Sequence, residues 1–350
     1  MEPRSVLPPD TAAAQPTRPV GVLLVGAGFI AGVHCAAIAA DPRAELVGVV
    51  DADGGRAAAF ARSQGGIRYG SDLAEALRWP GVDAAIVCTP NDTHAAVGAA
   101  VAEAGRHLLI EKPLATTVAD AKDLERRFAD AGRVLFAAHT HRAYDYGRAV
   151  KETVDAGTIG RPVLVRLAIL GGWIWTDWSA WVADPEKSGG HALHNGVHLL
   201  DLATWWLGDE PVTVRARGRK ETATDLRIYD YLEMVVTYRN GATAICEMSR
   251  GHRPATLSRR EVLVVGTAGQ LDQDWDGESG LLQTEAGTTL VPAAGGDGFA
   301  VQLAAWLDAI EGAGKGIPPA MPVADAVRAV ALGVAVEESI ASGLPVEVAA

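Results

Sequence analysis

The feature that most constrains this chain is the junction at residues 20–32. There an apolar run, Val20 to Val25, meets Gly26-Ala27-Gly28 and passes straight into a helix-like stretch reaching Ala40. A strand, a glycine turn and a helix in that order bring unsatisfied backbone N–H groups to a helix start, where they stabilise an anion. Gly26 allows the tight turn, Gly28 leaves room for phosphates, and Ala31 followed by Gly32 supplies the small third position. The next apolar run, Leu46 to Val50, ends directly on Asp51, about 20 residues past Gly28. A carboxylate there accepts hydrogen bonds from a ribose diol and repels a 2′-phosphate. The pattern predicts a site for NAD in preference to NADP, with nearby Arg56 leaving some tolerance of NADP.

Further apolar runs at Ala84 to Cys88, His107 to Ile110 and Val134 to Ala138 alternate with helix-like segments around Leu73 to Leu77, His94 to Ala104 and Val118 to Ala131. Strands that are apolar on both faces imply a parallel sheet covered by helices on each side. After about residue 140 the pattern changes. A helix over Ala143 to Asp155 leads to strand-like runs at Val163 to Ile169, Val212 to Arg217, Leu232 to Tyr238, Ala242 to Met248 and Val262 to Val265, several partly alternating. Helical segments at His191 to Trp206, Ala300 to Ile310 and Ala324 to Ser339 accompany them. The expected fold class is α/β: an N-terminal Rossmann domain over residues 20–140, then a C-terminal α+β domain over 141–350 with a largely antiparallel open sheet. Residues 1–19, with five prolines and no apolar signal core, read as a disordered leader, and the C-terminal helices are expected to pack back on the first domain.

Composition narrows the function. Lys and Arg total 31 against 43 Asp and Glu, a net charge of −12, which disfavours nucleic acid as a partner. Cys35, Cys88 and Cys246 are odd in number and far apart, fitting a reducing compartment, so a cytoplasmic location is expected. The uncharged stretch from Val20 to Ala40 is broken by Gly21, Gly26, Gly28 and Gly32, and reads as strand, turn and helix rather than a membrane span.

The ordered segments Gly26-Ala27-Gly28-Phe29-Ile30-Ala31, Thr89-Pro90-Asn91 with His94, and Glu111-Lys112-Pro113 resemble the glucose-fructose oxidoreductase and inositol dehydrogenase family. The similarity resumes at His139 to Arg142, Gly157 to Gly160 and Gly189 to Asp201, so it covers nearly all of residues 20–345. It implies hydride transfer between a nicotinamide and a hydroxyl-bearing carbon of a sugar, cyclitol or related polar molecule. It also implies assembly into a homodimer or homotetramer. On this resemblance Gly26, Gly28, Phe29, Ile30, Asp51, Thr89, Pro90, Asn91, His94, Glu111 and Lys112 would hold the cofactor. Lys112 matches the lysine of the family's Glu-Lys-Pro segment, and His198 the histidine closing its Asp-x-Gly-x-His segment. The chain departs from that segment at His194, which stands where the family has aspartate.

Oxidising an alcohol needs a group that takes the hydroxyl proton as hydride leaves. Lys112 is expected to position the hydroxyl and stabilise oxygen charge, His198 to accept the proton, and His194 to orient substrate or relay the proton. Arg142, Asn195 and His198 are candidates for substrate contact, as are Trp173 and Trp175 within the cluster Trp173, Trp175, Trp178 and Trp181, since aromatic faces suit the C–H surfaces of a sugar ring. His191, His194 and His198 can share a helix face and invite a zinc reading, but Gly189 and Gly190 precede them and no acid completes a metallohydrolase spacing, so no metal is assigned. Two alternatives accompany the dehydrogenase reading. One is a glycoside-cleaving enzyme that recycles bound NAD through oxidation and elimination, and the other a noncatalytic nucleotide or sugar sensor.

Overall fold

The structure is a computed structural model that describes residues 18–172, 180–222, 224, 226–254, 256, 258–273, 279–292, 296–313 and 320–349. Residues 1–17 of the expected leader, and Trp173, Trp175 and Trp178, lie outside the described residues. The end of the leader is anchored, since Arg18 grips both carboxylate oxygens of Asp83 at 2.7 Å.

The first layer is a six-stranded sheet of β1 (Val20–Val25), β2 (Ala44–Val50), β3 (Arg68–Gly70), β4 (Ala84–Val87), β5 (His107–Glu111) and β6 (Leu135–Ala138). Its order is β3-β2-β1-β4-β5-β6 and every pairing is parallel. The strand order reverses between β1 and β4, the crevice where ligands sit in sheets of this kind. The apolar runs form these strands because both faces are covered: Leu23, Leu24, Ile86, Leu108, Leu109 and Ile110 are fully buried. The short, exposed β3 had no such run and was not expected.

The second layer is a nine-stranded sheet of β7 (Pro162–Gly171), β8 (Pro211–Arg219), β9 (Tyr231–Tyr238), β10 (Thr243–Ser249), β11 (Ser258–Gly266), β12 (Gly269–Gln273), β13 (Ser279–Thr284), β14 (Gly287–Pro292) and β15 (Val346–Glu347), in the order β14-β13-β12-β11-β7-β10-β9-β8-β15. It is mostly antiparallel as expected, with one parallel pairing, β7 to β10. The helix Val197–Leu207 lies on its inner face, where Leu199, Leu200 and Trp206 join a core with Val165, Leu167, Met234 and Val236.

The C-terminal helices return to the first layer. Leu303, Trp306 and Leu307 of Gly298–Gly312, with Val327 and Val330 of Val323–Ser342, share the core of the parallel sheet. Further along the same helix, Leu332, Ala335 and Val336 enter the core of the mixed sheet. Among the described residues, no helix is long and apolar enough to cross a membrane.

Gly26 is the pivot of the first crossover. Its φ is +95°, and a Cβ there would lie 2.7 Å from the Cys88 carbonyl oxygen, so the β1 and β4 ends touch backbone to backbone. Gly26→Ala should combine left-handed strain with that clash and destabilise the protein by at least about 2 kcal/mol. Thermal unfolding checks this, and an unchanged midpoint would show that the turn relaxes freely.

Candidate active site

Three loops leave the sheet side by side at the switch point: Gly26–Gly28 after β1, Cys88–Asn91 after β4 and Lys112–Pro113 after β5. The helix Phe29–Ala40 starts at Gly28 with no side-chain cap and no acid in its first turn, so its leading N–H groups have no side-chain acceptor. A Cβ on Gly28 would meet nothing within 4 Å, which leaves open space over those amides for a pyrophosphate. Asp51, 9% exposed, accepts from Ala27 N and Asp53 N, both at 2.8 Å, and lies 3.3 Å from an Arg56 Nη. It therefore fixes the glycine turn and places a carboxylate at the end of β2. This geometry fits NAD. Phe29 leaves its ring 89% exposed at the helix start, while Ile30 turns toward the crevice.

A cavity of about 280 Å³ continues from this turn and is lined in part by Ile30, Thr89, Asn91, Glu111, Lys112 and His198. Other expected cofactor residues shape its walls. Pro90 leads into the short turn Asn91–Thr93, where Thr93 Oγ1 lies 2.7 Å from both the Pro90 carbonyl, to which it donates, and the Thr89 hydroxyl. Asn91 donates to the Ser188 carbonyl at 2.8 Å and so ties the loop to the second layer. His94 is fully buried behind the wall, with Nδ1 2.7 Å from the Pro113 carbonyl and Nε2 3.0 Å from that of Thr89, and so joins two of the loops without lining the cavity. Glu111 accepts from His34 Nε2 at 2.9 Å. Burial pushes the Glu111 carboxyl up, but the His34 hydrogen bond and the nearby positive groups outweigh it and hold the pKa below the usual value.

Lys112 follows β5 and joins Pro113 through a cis peptide bond. Its Nζ donates to the backbone carbonyl of His194 at 2.6 Å. Burial, aided by the charge of Arg250, pulls its pKa down to about 8. The histidine segment begins as a single π-helical turn, Ala192–Gly196, before the helix Val197–Leu207. Glu337 secures its start by accepting from Ala192 N at 2.9 Å. Within it, His198 lines both the cofactor cavity and a larger one of about 420 Å³ over the mixed sheet. Burial first, then the neighbouring His141 and Lys112, hold the His198 pKa well below the ordinary value, so its ring is neutral and can accept. His198 Nδ1 and Asn195 Nδ2 have no hydrogen-bond partner among the described residues, and both residues line the larger cavity.

The structure separates the other candidates. The His194 ring packs edge-on against Trp181 at 5.2 Å and is outside both cavity linings, so this residue meets Lys112 through its carbonyl rather than its imidazole. His191 Nδ1 donates to the Tyr229 carbonyl at 2.7 Å, and burial pulls its pKa down to about 4. Arg142, expected to contact substrate, lies outside both cavity linings and is engaged in ion pairs. Its guanidinium holds both oxygens of buried Asp201 at 2.7 and 2.8 Å and Asp325 at 2.8 Å. Of the tryptophan cluster, Trp181 reaches the cofactor cavity.

Residues not singled out from sequence complete the larger cavity: His141, Tyr144, Tyr146, Arg250 and Arg260 among them. The His141 ring lies 4.2 Å from that of His198, and its Nδ1 hydrogen-bonds the Tyr146 hydroxyl. Burial and nearby Lys112 pull His141 down to about 3, so this pair of rings is uncharged. The polar segment after β6, His139 to Tyr146, was the available signal, because it follows a strand end at the same edge of the sheet.

A parallel nucleotide layer joined to an open mixed sheet, with a lysine and a histidine between a dinucleotide crevice and a polar cavity, defines a two-layer nicotinamide-dependent oxidoreductase. Residues 20–139 match the oxidoreductase family with NAD-binding Rossmann fold, and residues 148–272 match the GFO/IDH/MocA C-terminal domain. The chain belongs to this Gfo/Idh/MocA oxidoreductase family. It is 30% identical to inositol 2-dehydrogenase 1 of Saccharopolyspora erythraea, over 94% of this chain and 96% of that protein. It is 29% identical to 1,5-anhydro-D-fructose reductase of Ensifer adhaerens, over 93% and 97% respectively. The crystal structure of GenD2 from gentamicin A biosynthesis in complex with NAD superimposes with a TM-score of 0.83 at 28% identity, covering 99% of this chain and all of that one. The protein is an NAD-dependent oxidoreductase.

The Arg142 ion pair carries its own expectation. Arg142→Ala would leave Asp201 buried with His139, at 3.3 Å, as its remaining ion-pair partner among the described residues, and should cost about 3–5 kcal/mol of stability. Urea unfolding measures it, and a loss below about 1 kcal/mol would return Arg142 to the list of ligand contacts.

Proposed function

We propose that this protein oxidises a secondary hydroxyl of a sugar, cyclitol or similar polar molecule with NAD, or runs the reverse reduction. The observation that carries this reading is that Lys112 lines the cavity at the glycine turn together with His198, which lines the larger polar cavity as well. The inositol dehydrogenase and anhydrofructose reductase among its relatives support the substrate class. Bound NAD supplies the hydride acceptor. The chain supplies proton handling, orientation and exclusion of water.

Burial reverses the division of labour expected from sequence. An imidazolium at His198 is disfavoured by desolvation and by surrounding positive groups, whereas Lys112, at about 8, is partly neutral near physiological pH. In this mechanism the neutral Lys112 amine keeps its N–H on the His194 carbonyl and takes the hydroxyl proton on its lone pair. His198 accepts a hydrogen bond from the substrate and orients it, and His194 positions Lys112 through its backbone. Lys112→Ala should lower turnover by about 10²- to 10⁴-fold, and His198→Ala should lose most turnover while NAD binding persists. Because the neutral form of Lys112 grows as pH rises, kcat/KM for oxidation should climb through about pH 8 and level off, while that for reduction should fall. Single-turnover hydride transfer across pH tests this assignment, and a Lys112→Ala variant with a wild-type profile would overturn it.

Asp51 sets cofactor choice in the same proposal, because a second phosphate would meet its carboxylate, already held by Ala27 N and Asp53 N. NAD should bind more tightly than NADP, and Asp51→Ala should narrow the gap. Calorimetric titration of both dinucleotides decides it, with an NADP preference in the wild type counting against the assignment.

A further inference from the structure

One wall of the larger cavity takes no part in the chemistry above. Met248 of β10 pairs with Ile169 of β7, and Ile169 with Arg260 of β11, so these side chains form one row across three adjacent strands at the cavity. Side chains two apart on a strand share a face. Arg260 therefore stands on the face where Val262 and Val264 are 0% exposed. A charge on the core-facing side of a strand contributes nothing to packing, and it is placed where that face opens into the cavity. Arg250, directly after β10, has its N–H bonded to the Asp230 carbonyl at 2.9 Å and lines the same cavity. Burial and the charge of Arg260 hold its pKa down to about 10, so the two guanidiniums are close enough to repel. The one carboxylate lining the cavity among the described residues, Asp145, is 2.9 Å from Arg148. Two guanidiniums on one wall of a cavity supply charge-assisted N–H donors that suit an oxyanion, in a chain whose net charge is −12.

We infer that the substrate carries a fixed negative charge, a carboxylate or phosphate, seated against Arg250 and Arg260 while its reacting hydroxyl faces Lys112 and His198. Both arginines have other interactions within the chain, and a guanidinium with five N–H donors accommodates these together with a ligand oxygen. Arg250 also depresses Lys112, so the anion site and the reacting centre lie within electrostatic reach of each other. A cavity of about 420 Å³ runs from these arginines to His198, where it meets the cavity that Lys112 lines, and has room for a molecule of hexose size. The anion in turn offsets the repulsion between the two arginines, so binding an acid costs less here than in a neutral cavity.

This inference rests on the dehydrogenase reading for its reacting end but not for its charged end, and the test separates them. The probes are glucose, galactose and mannose, the matching hexuronates and 6-phosphates, and myo-inositol with its monophosphate. Each is measured two ways on the full protein: NAD reduction rates, and calorimetric binding to the protein saturated with NADH. An anionic member should exceed its neutral counterpart by about 10- to 100-fold in affinity and, where turned over, in kcat/KM. Whether uronate or phosphate gains more identifies the group. Arg260→Gln, at an exposed position, should collapse the ratio toward one, and Arg260→Lys should keep part of it. Neutral probes binding as well as anionic ones, no anionic probe binding, or a ratio unchanged in Arg260→Gln each overturns the inference. Anion binding that depends on Arg260 without NADH formation from any probe would sustain it and count against the dehydrogenase reading instead.

Discussion

The site depends on one hydrogen bond, from Lys112 Nζ to the His194 carbonyl at 2.6 Å. It crosses from the parallel layer to the mixed layer and ties the amine that follows β5 to the helical segment that carries His198. An ammonium taken out of water loses several kcal/mol of solvation unless its protons find acceptors. The carbonyl supplies one acceptor, and buried Glu111 supplies compensating charge from the preceding residue. What remains unpaid lowers the affinity of Lys112 for its proton. Burial between the layers, outweighing the charge of Glu111, lowers the pKa of the amine that this hydrogen bond holds in place.

The surrounding histidines extend this logic. His141, His191, His194 and His198 are all held below the ordinary imidazole range, with burial the largest cause in each case. Of these, the His141 and His198 rings give both cavities a neutral polar lining, while His191 and His194 stand behind it. Fixed positive charge near the cavity thus falls to the arginines and, in its protonated state, Lys112. The two cavities consequently differ: one ends at uncapped helix amides suited to a pyrophosphate, while the other ends at guanidiniums.

The parallel layer was legible because its strands are apolar on both faces and its turns are marked by Gly26 and Gly28. Helix Val118–Ala131 could be bounded from Thr117 and Asp120, and the structure shows that cap, with Asp120 N donating to Thr117 Oγ1 at 3.1 Å. Short β3 and the hairpin of β13 and β14 escaped notice for the same physical reason. β3 and β14 are mostly exposed and β13 has one buried residue, so burial imposes no apolar pattern on them. In the site, Lys112 and His198 were found through resemblance, whereas no local pattern announces that His194 acts through its carbonyl or that Arg142 is consumed by Asp201. Those outcomes are set by long-range packing, across 82 and 59 residues of chain respectively. Arg260 did carry a sequence signal, a charge in phase with Val262 and Val264, but the strand had been started two residues too late to include it.

The helix Val323–Ser342 has a mechanical meaning beyond its place in the two cores. One rigid rod is embedded at its beginning in the parallel layer, through Val327 and Val330, and further along in the mixed layer, through Leu332, Ala335 and Val336. Separating the layers would pull one set of these side chains into water, at about 25 cal/mol for each Å² of apolar surface exposed. The helix thus acts as a dowel set in both layers, and the apolar surface it buries in each resists their being drawn apart.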